Sequence, residues 1–366
     1  MYSVLDRTIM ERLIDYAWEY QTLCLPNPSV GAAVFSPKYQ ILSFGIHKKA
    51  GGPHAEVYAF ANAAKEFFTL KKEYSLLQEL DSLLTLPLES QSLALHKFLC
   101  THTKHLFSDC RVYVSLEPCN HSGKTPPCAN LLEILHPEYV FIACRETNKQ
   151  AQGGGSRLQQ ADIKVCYGLC EDRAKALLLP FLCYKQNGAF RLFKLAMRLD
   201  GDYLSGRITH FDTQIFTHNQ RSVSDCIIVS GRTFLHDLPK LDCRFATSPF
   251  DNSHLPQVKI LTRENIDTAL NPNITPSRIR VCHGIEELAL DSGFSIIEGG
   301  LPLLQSLLPQ IDMLLLHIAP NFLPDSKKFI NKRFAGFDSL TDGMHDFRIL
   351  HTHKHSVDMS VWLIRA

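Results

Sequence analysis

LEPCNHSGKTPPC, residues 116–128, carries two cysteines, Cys119 and Cys128, with eight residues between them. That interval is too wide for the C-x-x-C clip of a zinc finger or of most zinc deaminases. Taken alone, the stretch is either part of a metal site or a Pro-rich loop with two free thiols. It follows RVYVSL (111–116), whose β-branched and aromatic residues read as a buried strand. Pro118 suits a first-turn position that presents Cys119 at a helix start, where a thiolate gains from the positive end of the helix dipole.

Upstream, GGPHAEVYAF (51–60) sets a His-x-Glu pair at the opening of a helix. Such a pair can place an imidazole on a metal and hold a carboxylate beside the metal's water. A catalytic zinc needs three protein ligands and an open position for that water. His54, Cys119 and Cys128 supply the three, the thiolates being deprotonated by the metal. Glu56 does not ligate; it carries protons from the water to a leaving nitrogen. A lone His-x-Glu is common on surface helices. Its joint occurrence with a strand, Glu-Pro-Cys and a second Cys points to a catalytic zinc site of the deaminase type.

At 366 residues the chain is long enough for two domains. Its 38 basic and 37 acidic residues leave a net charge of +1, which announces neither a nucleic-acid nor a membrane partner. MYSVLDRTIMERLIDYAW, the N-terminus, has charges at short intervals and no apolar run of signal-peptide or transmembrane length. A cytoplasmic protein is expected. Twelve cysteines without a secretory signal read as buried thiols, Cys144, Cys166 and Cys226 among them.

The fold class is α/β. Strands are expected over 30–35, 111–116, 139–144 and 163–168, with helical spacing around 55–67 and 127–135. A second series follows over 190–197, 226–230, 257–262, 279–283, 294–300, 313–319 and 356–364. The QNG at 186–188 marks the boundary, giving domains 1–187 and 188–366. Between them in the first domain, about 61–110 reads as a helical insert, with Leu70, Tyr74, Leu77, Leu80 and Leu84 on one helix ended by Pro87 and LALHKFL (93–99) on another. It is either an excursion with a surface or oligomerisation role or a simple lengthening of two existing elements; His102 and His105 read as solvated rather than as ligands.

The chain resembles the bifunctional riboflavin-biosynthesis deaminase/reductase family. PNPSVG (26–31), GIH (45–47), GGPHAEV (51–57), LEPCNHSGKTPPC and GGG (153–155) match its pattern in order, and the eight-residue cysteine interval is a mark of that family. The resemblance implies a cytidine-deaminase-like three-layer first domain acting on 2,5-diamino-6-(5-phosphoribosylamino)pyrimidin-4(3H)-one. Asn27 would contact the pyrimidine; His47, His121, Lys124 and Thr125 would hold the ribose phosphate end. SGKT is not a P-loop, since position 118, where that motif needs Gly, is Pro. The interval from His54 to Cys119 is longer than the family's because of the insert.

In the second half FKLAMRLDG (193–201), RSVSDCIIVSGRTFLHDLPKLDCR (221–244) and IIEGGLPLL (296–304) resemble the family's reductase segments. They imply a dihydrofolate-reductase-like domain that uses NADPH to reduce the ribosyl chain of 5-amino-6-(5-phosphoribosylamino)uracil to ribityl. Ala196, Thr233, Asp237, Gly299 and Gly300 would contact the cofactor. Lys194, Ser205, Arg221, Leu241, Arg244 and Glu298 would contact the substrate. Three departures stand out: Arg198 replaces a Ser, Arg207 stands where a cofactor-contacting Trp is expected, and the turn VSGRT (229–233) lacks the family's glycines. A small-molecule substrate and a homo-oligomer are expected. The rivals are a deaminase with a degenerate reductase-like domain, and a nucleoside or tRNA deaminase, which the neutral charge and cysteine spacing oppose.

Overall fold

The computed structural model describes residues 2–121, 123, 125–204, 206–322 and 346–365. Its chain divides into two compact units, Met1–Leu179 and Pro180–Ala366. The division falls inside a helix, Glu171–Asn187, which ends at the QNG turn, where Gly188 has φ +70°.

The first unit runs α1 (Val4–Trp18), β1 (Gly31–Phe35), β2 (Ile41–Ile46), α2 (Ala55–Lys71), α3 (Tyr74–Leu84), α4 (Leu88–His102), β3 (Arg111–Leu116), α5 (Cys128–Leu135), β4 (Tyr139–Cys144), α6 (Gly154–Gln160) and β5 (Lys164–Tyr167), then enters α7 (Glu171–Asn187). Its sheet has the order β2-β1-β3-β4-β5; β1 is antiparallel to both neighbours, and β3, β4 and β5 are parallel. Every residue of β1 is buried, as a strand covered on both faces requires. Gly31 lies under Leu13 of α1. Gly45 faces α2, and a Cβ there would sit 2.2 Å from the Ala55 carbonyl oxygen and 2.3 Å from the Ala59 nitrogen. Gly31 pairs with Ile46, and Gly45 with Ala32. Adjacent residues of a strand point to opposite faces, so α1 and α2 cover opposite sides and the unit has three layers. The same close approach sets the direction in which α2 starts.

The insert differs from its expected form. A single helix through Leu70 and Leu84 is broken at Lys72, which takes φ +59° and ends α2. Glu73 N–H donates to the Phe68 carbonyl at 2.8 Å and Lys72 N–H to Thr69 at 3.2 Å, a Schellman ending made with lysine instead of glycine. Leu70 therefore belongs to α2, and Pro87 stands as the N-cap of α4. His102 and His105 are exposed.

The second unit continues with β6 (Ala189–Arg198), α8 (Phe211–Val223), β7 (Cys226–Ser230), α9 (Gly231–His236), β8 (Gln257–Leu261), β9 (Ile279–Cys282), β10 (Gly293–Glu298), α10 (Leu301–Leu307), β11 (Met313–Ala319), β12 (Phe347–His355) and β13 (Asp358–Arg365). Among the described residues its sheet has eight strands, in the order β12-β13-β11-β6-β10-β7-β8-β9. From β11 to β9 all are parallel, and the β12–β13 hairpin closes one edge antiparallel. The carboxyl ends of β6, β7, β10 and β11 therefore share one edge, where open parallel sheets form their ligand crevice. All twelve cysteines are free; Cys144 and Cys226 are buried, whereas Cys166, on the edge strand β5, is half-buried.

Gly45→Val should force α2 off β2 and destabilise the first unit by about 1–3 kcal/mol. Urea unfolding followed with zinc content will read both the loss and its effect on the ligands carried by α2.

Candidate functional site

In the first unit three chain segments converge. His54 is the N-cap of α2, Cys128 is the first residue of α5, and Cys119 follows β3. Their ligand atoms all lie within 4.8 Å of one another. His54 Nδ1 is 3.3 Å from Cys128 Sγ and 3.5 Å from Cys119 Sγ. Tetrahedral zinc with bonds of about 2.0–2.3 Å would hold N and S about 3.5 Å apart, so the donor set and its spacing fit zinc, with Nδ1 as the ligating nitrogen. The outer nitrogen, Nε2, is 3.3 Å from Thr125 Oγ1, the second partner a ligating imidazole ordinarily has.

The charges are arranged for the same purpose. Cys119 is held far below the ordinary thiol range by the hydrogen bonds it accepts from the Cys128 thiol and the Cys128 N–H and by the charge of His54. The Cys128 thiol is pushed up by donating that bond and by burial. Burial also raises Glu56, whose carboxyl lies against both His54 and Cys128. A buried carboxyl with an elevated pKa is suited to taking up and releasing a proton near neutrality.

Backbone contacts hold these groups in place. Glu117 accepts from the Gly155 N–H at 3.0 Å and from the Glu146 N–H at 3.1 Å. A Cβ on Gly154 would lie 1.9 Å from the Pro118 carbonyl oxygen. The GGG run thus lets α6 pack directly on the turn that presents Cys119. On the other side, His47 Nδ1 is 2.9 Å from the Pro53 carbonyl, one residue before His54. A carbonyl only accepts, so Nδ1 carries the proton. Burial lowers the His47 pKa to about 4, leaving Nε2 a lone pair for the Asn27 amide at 3.2 Å.

The second unit contains a cavity of about 500 Å³, with Lys194, Ala196, Arg207, Arg221, Lys240, Leu241 and Arg244 on its wall. Beside it Glu298 accepts from Arg221 in a bidentate pair at 2.7 and 2.8 Å and lies 3.7 Å from Lys194 Nζ. Burial would raise the Glu298 pKa, yet the two cations hold it well below the usual carboxylate range. Burial lowers Lys194, against the pull of Glu298.

Residues 4–144 match the family model described as the cytidine and deoxycytidylate deaminase zinc-binding region. The riboflavin biosynthesis protein RibD of Chlamydia pneumoniae is 28% identical over 362 residues, covering 87% of this chain and 85% of that one. The chain is thus similar, over most of its length, to riboflavin-biosynthesis proteins. RibD of Aquifex aeolicus is also 28% identical, but over 67% of this chain and 59% of its own length; for RibD of Mycobacterium tuberculosis H37Rv the figures are 29%, 67% and 61%. The chain thus spans less than two thirds of those two relatives. A solved deaminase/reductase from Thermotoga maritima shares the fold, with TM-score 0.61 over 99% of both chains at 23% identity.

Among the residues this family assigns to substrate or cofactor, Lys124 and Ser205 lie outside the described residues. His121 is exposed on the 119–128 loop. Lys194, Ala196, Arg221, Leu241 and Arg244 meet at the cavity. Thr233 lies in the first turn of α9 and Asp237 is its C-cap, and Gly299 and Gly300 lie between β10 and α10. These four follow the carboxyl ends of the neighbouring strands β7 and β10. Helix starts at that edge suit the phosphates of a dinucleotide. In the altered VSGRT turn, Ser230 Oγ accepts from the Thr233 N–H at 3.1 Å and caps α9. Arg198 ties its loop together, bonding Asp202 at 3.3 Å, the Arg207 carbonyl at 3.0 Å and Asn321.

Glu298→Gln should cost the second unit about 3 kcal/mol at pH 7, because two buried cations lose their charge partner. The folded pKa of Glu298 is depressed, so its contribution is present above the unfolded value and lost as pH falls. The urea-midpoint difference between variant and wild type should accordingly shrink below about pH 4.3.

Proposed function

We propose that the first unit hydrolyses the 2-amino group of 2,5-diamino-6-(5-phosphoribosylamino)pyrimidin-4(3H)-one, and that the second reduces the deaminated product with NADPH. The His54–Cys119–Cys128 cluster with Glu56 beside it carries the first half of this reading. His54, Cys119 and Cys128 would hold a zinc ion, which would supply a water acidic enough to attack at neutral pH. Glu56 takes the proton from that water as the C–O bond forms and passes it to the amino nitrogen as the C–N bond breaks, releasing ammonia. Asn27, fixed by neutral His47, presents its amide to the pyrimidine, while the 119–128 loop holds the phosphoribosyl end.

In the second unit NADPH supplies the hydride that C1′ of the opened sugar accepts. Arg244 meets the substrate phosphate, guanidinium donors being suited to it, while Arg221, held by Glu298, adds its charge to the same cavity. Lys194, its pKa lowered by burial, protonates the ring oxygen as the sugar opens. A scaffold with no chemistry has little use for three buried charges beside a cavity, because desolvating such groups costs several kcal/mol per ion. Among the described residues no helix is long and apolar enough to cross a membrane; with the small-molecule substrate, this supports a cytoplasmic location.

Glu56→Gln should retain about one zinc per chain and lower ammonia release by at least ~10²-fold. Zinc stripped by a chelator should abolish ammonia release while leaving NADPH oxidation by the deaminated substrate intact, and added zinc should restore it. Full ammonia release from metal-free protein would remove the zinc mechanism. No loss of nicotinamide absorbance with deaminated substrate at saturating protein would remove the reductase half.

A further inference from the structure

We infer that Asn219 and His218, neighbours on α8, are positioning residues for Arg244: they clip the turn that brings this arginine to the wall of the second unit's cavity. The catalytic consequence rests on reading that cavity as the phosphate end of the reductase site, whereas the clip itself rests on hydrogen bonds alone.

Between α9 and β8 the chain runs through residues 237–256 without a helix or strand, and a connection of that length usually carries function. The Ala246 N–H donates to the Cys243 carbonyl at 2.8 Å, so Arg244 and Phe245 are the corner residues of a tight turn. Arg244 lines the cavity, yet its side chain is 40% exposed. An arginine at such a corner has rotamer freedom to lose before it can grip an anion. Its immediate contacts limit that freedom: Nη1 donates to Asp242 Oδ1 at 2.6 Å, and the guanidinium lies 4.7 Å from the centre of the Phe245 ring.

Three side chains of α8 then fix the turn itself. Just before it, the Asp242 carbonyl accepts from Arg221 Nη1 at 3.2 Å. At its corner the Phe245 N–H donates to His218 Nδ1 at 3.4 Å, with the two rings 4.8 Å apart. Just after it, the Thr247 N–H donates to Asn219 Oδ1 at 2.9 Å, and Asn219 Nδ2 reaches Thr247 Oγ1 at 3.4 Å. A backbone N–H needs an acceptor, so His218 Nδ1 carries no proton; burial, with Arg221 beside it, lowers the His218 pKa to about 4 and keeps the imidazole neutral. Asn219 is buried, and both ends of its amide go to Thr247. Its 2.9 Å bond is the shortest of those from α8 to the turn, which makes Asn219 the principal clip.

The test uses the full-length protein, with ribose 5-phosphate as the probe in equilibrium dialysis and the deaminated substrate in NADPH oxidation. Because the first unit is also read as holding a phosphoribosyl end, the affinity that counts is the part of the isotherm lost in Arg244→Ala. Asn219→Ala should weaken that part about tenfold and raise KM for the deaminated substrate by a similar factor, with kcat within about twofold of wild type. His218→Phe, which keeps a ring against Phe245 and removes only the acceptor, should weaken it about threefold. In the Arg244→Ala background neither substitution should weaken probe binding further, since both act through that arginine. Wild-type binding that Arg244→Ala does not diminish, unchanged binding in Asn219→Ala or His218→Phe, a loss confined to kcat, or an Asn219→Ala effect that persists in the Arg244→Ala background would each overturn the inference. If wild type binds the probe but oxidises no NADPH, the reductase reading fails, while the single and double variants still decide the role of Asn219.

Discussion

Two thiols and an imidazole held within 4.8 Å of each other pose a charge problem that shapes the first unit. Thiolates side by side repel, and burial penalises both. The chain answers with geometry: α2 and α5 both begin at this point, so the positive ends of two helices face the sulfurs. That solution demands that each helix start where it does. Gly45 lets α2 touch β2 backbone to backbone, and Gly154 lets α6 sit on the Pro118 carbonyl. The glycines of the first unit therefore act on the metal centre from a distance, through the directions of helices.

The second unit concentrates its charge problem in one carboxylate. Glu298 ends β10 beside Lys194 of β6, its in-register partner, and is clasped by Arg221 from α8. Three elements are cross-linked at the edge of the sheet where the cavity opens. The parallel order of the central strands makes this possible, since it brings their carboxyl ends to the same side.

The metal ligands were legible because each sits in a local pattern: His-x-Glu at a helix start, and cysteines after a strand and before a helix. Strands buried on both faces, such as β1, β3 and β4, were legible as apolar runs. The edge strands β5 and β9 were legible too, but the edge strands β2 and β12 were not. β2 is partly exposed, and β12 runs through FRILHTHKH, where alternating imidazoles mask the pattern. The end of α2 at Lys72 left no trace either, because a left-handed lysine has none of the signature a glycine would give. The resemblance places Thr125 at the phosphate end; its contact with His54 Nε2 depends on how the loop folds back.

Although the whole chain is nearly neutral, Lys194, Arg207, Arg221, Lys240 and Arg244 line one cavity, with Glu298 offsetting only part of their charge. The local field there is set by those side chains and is unrelated to the isoelectric point. Such a cavity attracts small oxyanions of any origin. Phosphate or sulfate in a buffer would compete for the guanidinium groups that a phosphorylated ligand would use, so any binding there should weaken with such anions as well as with ionic strength.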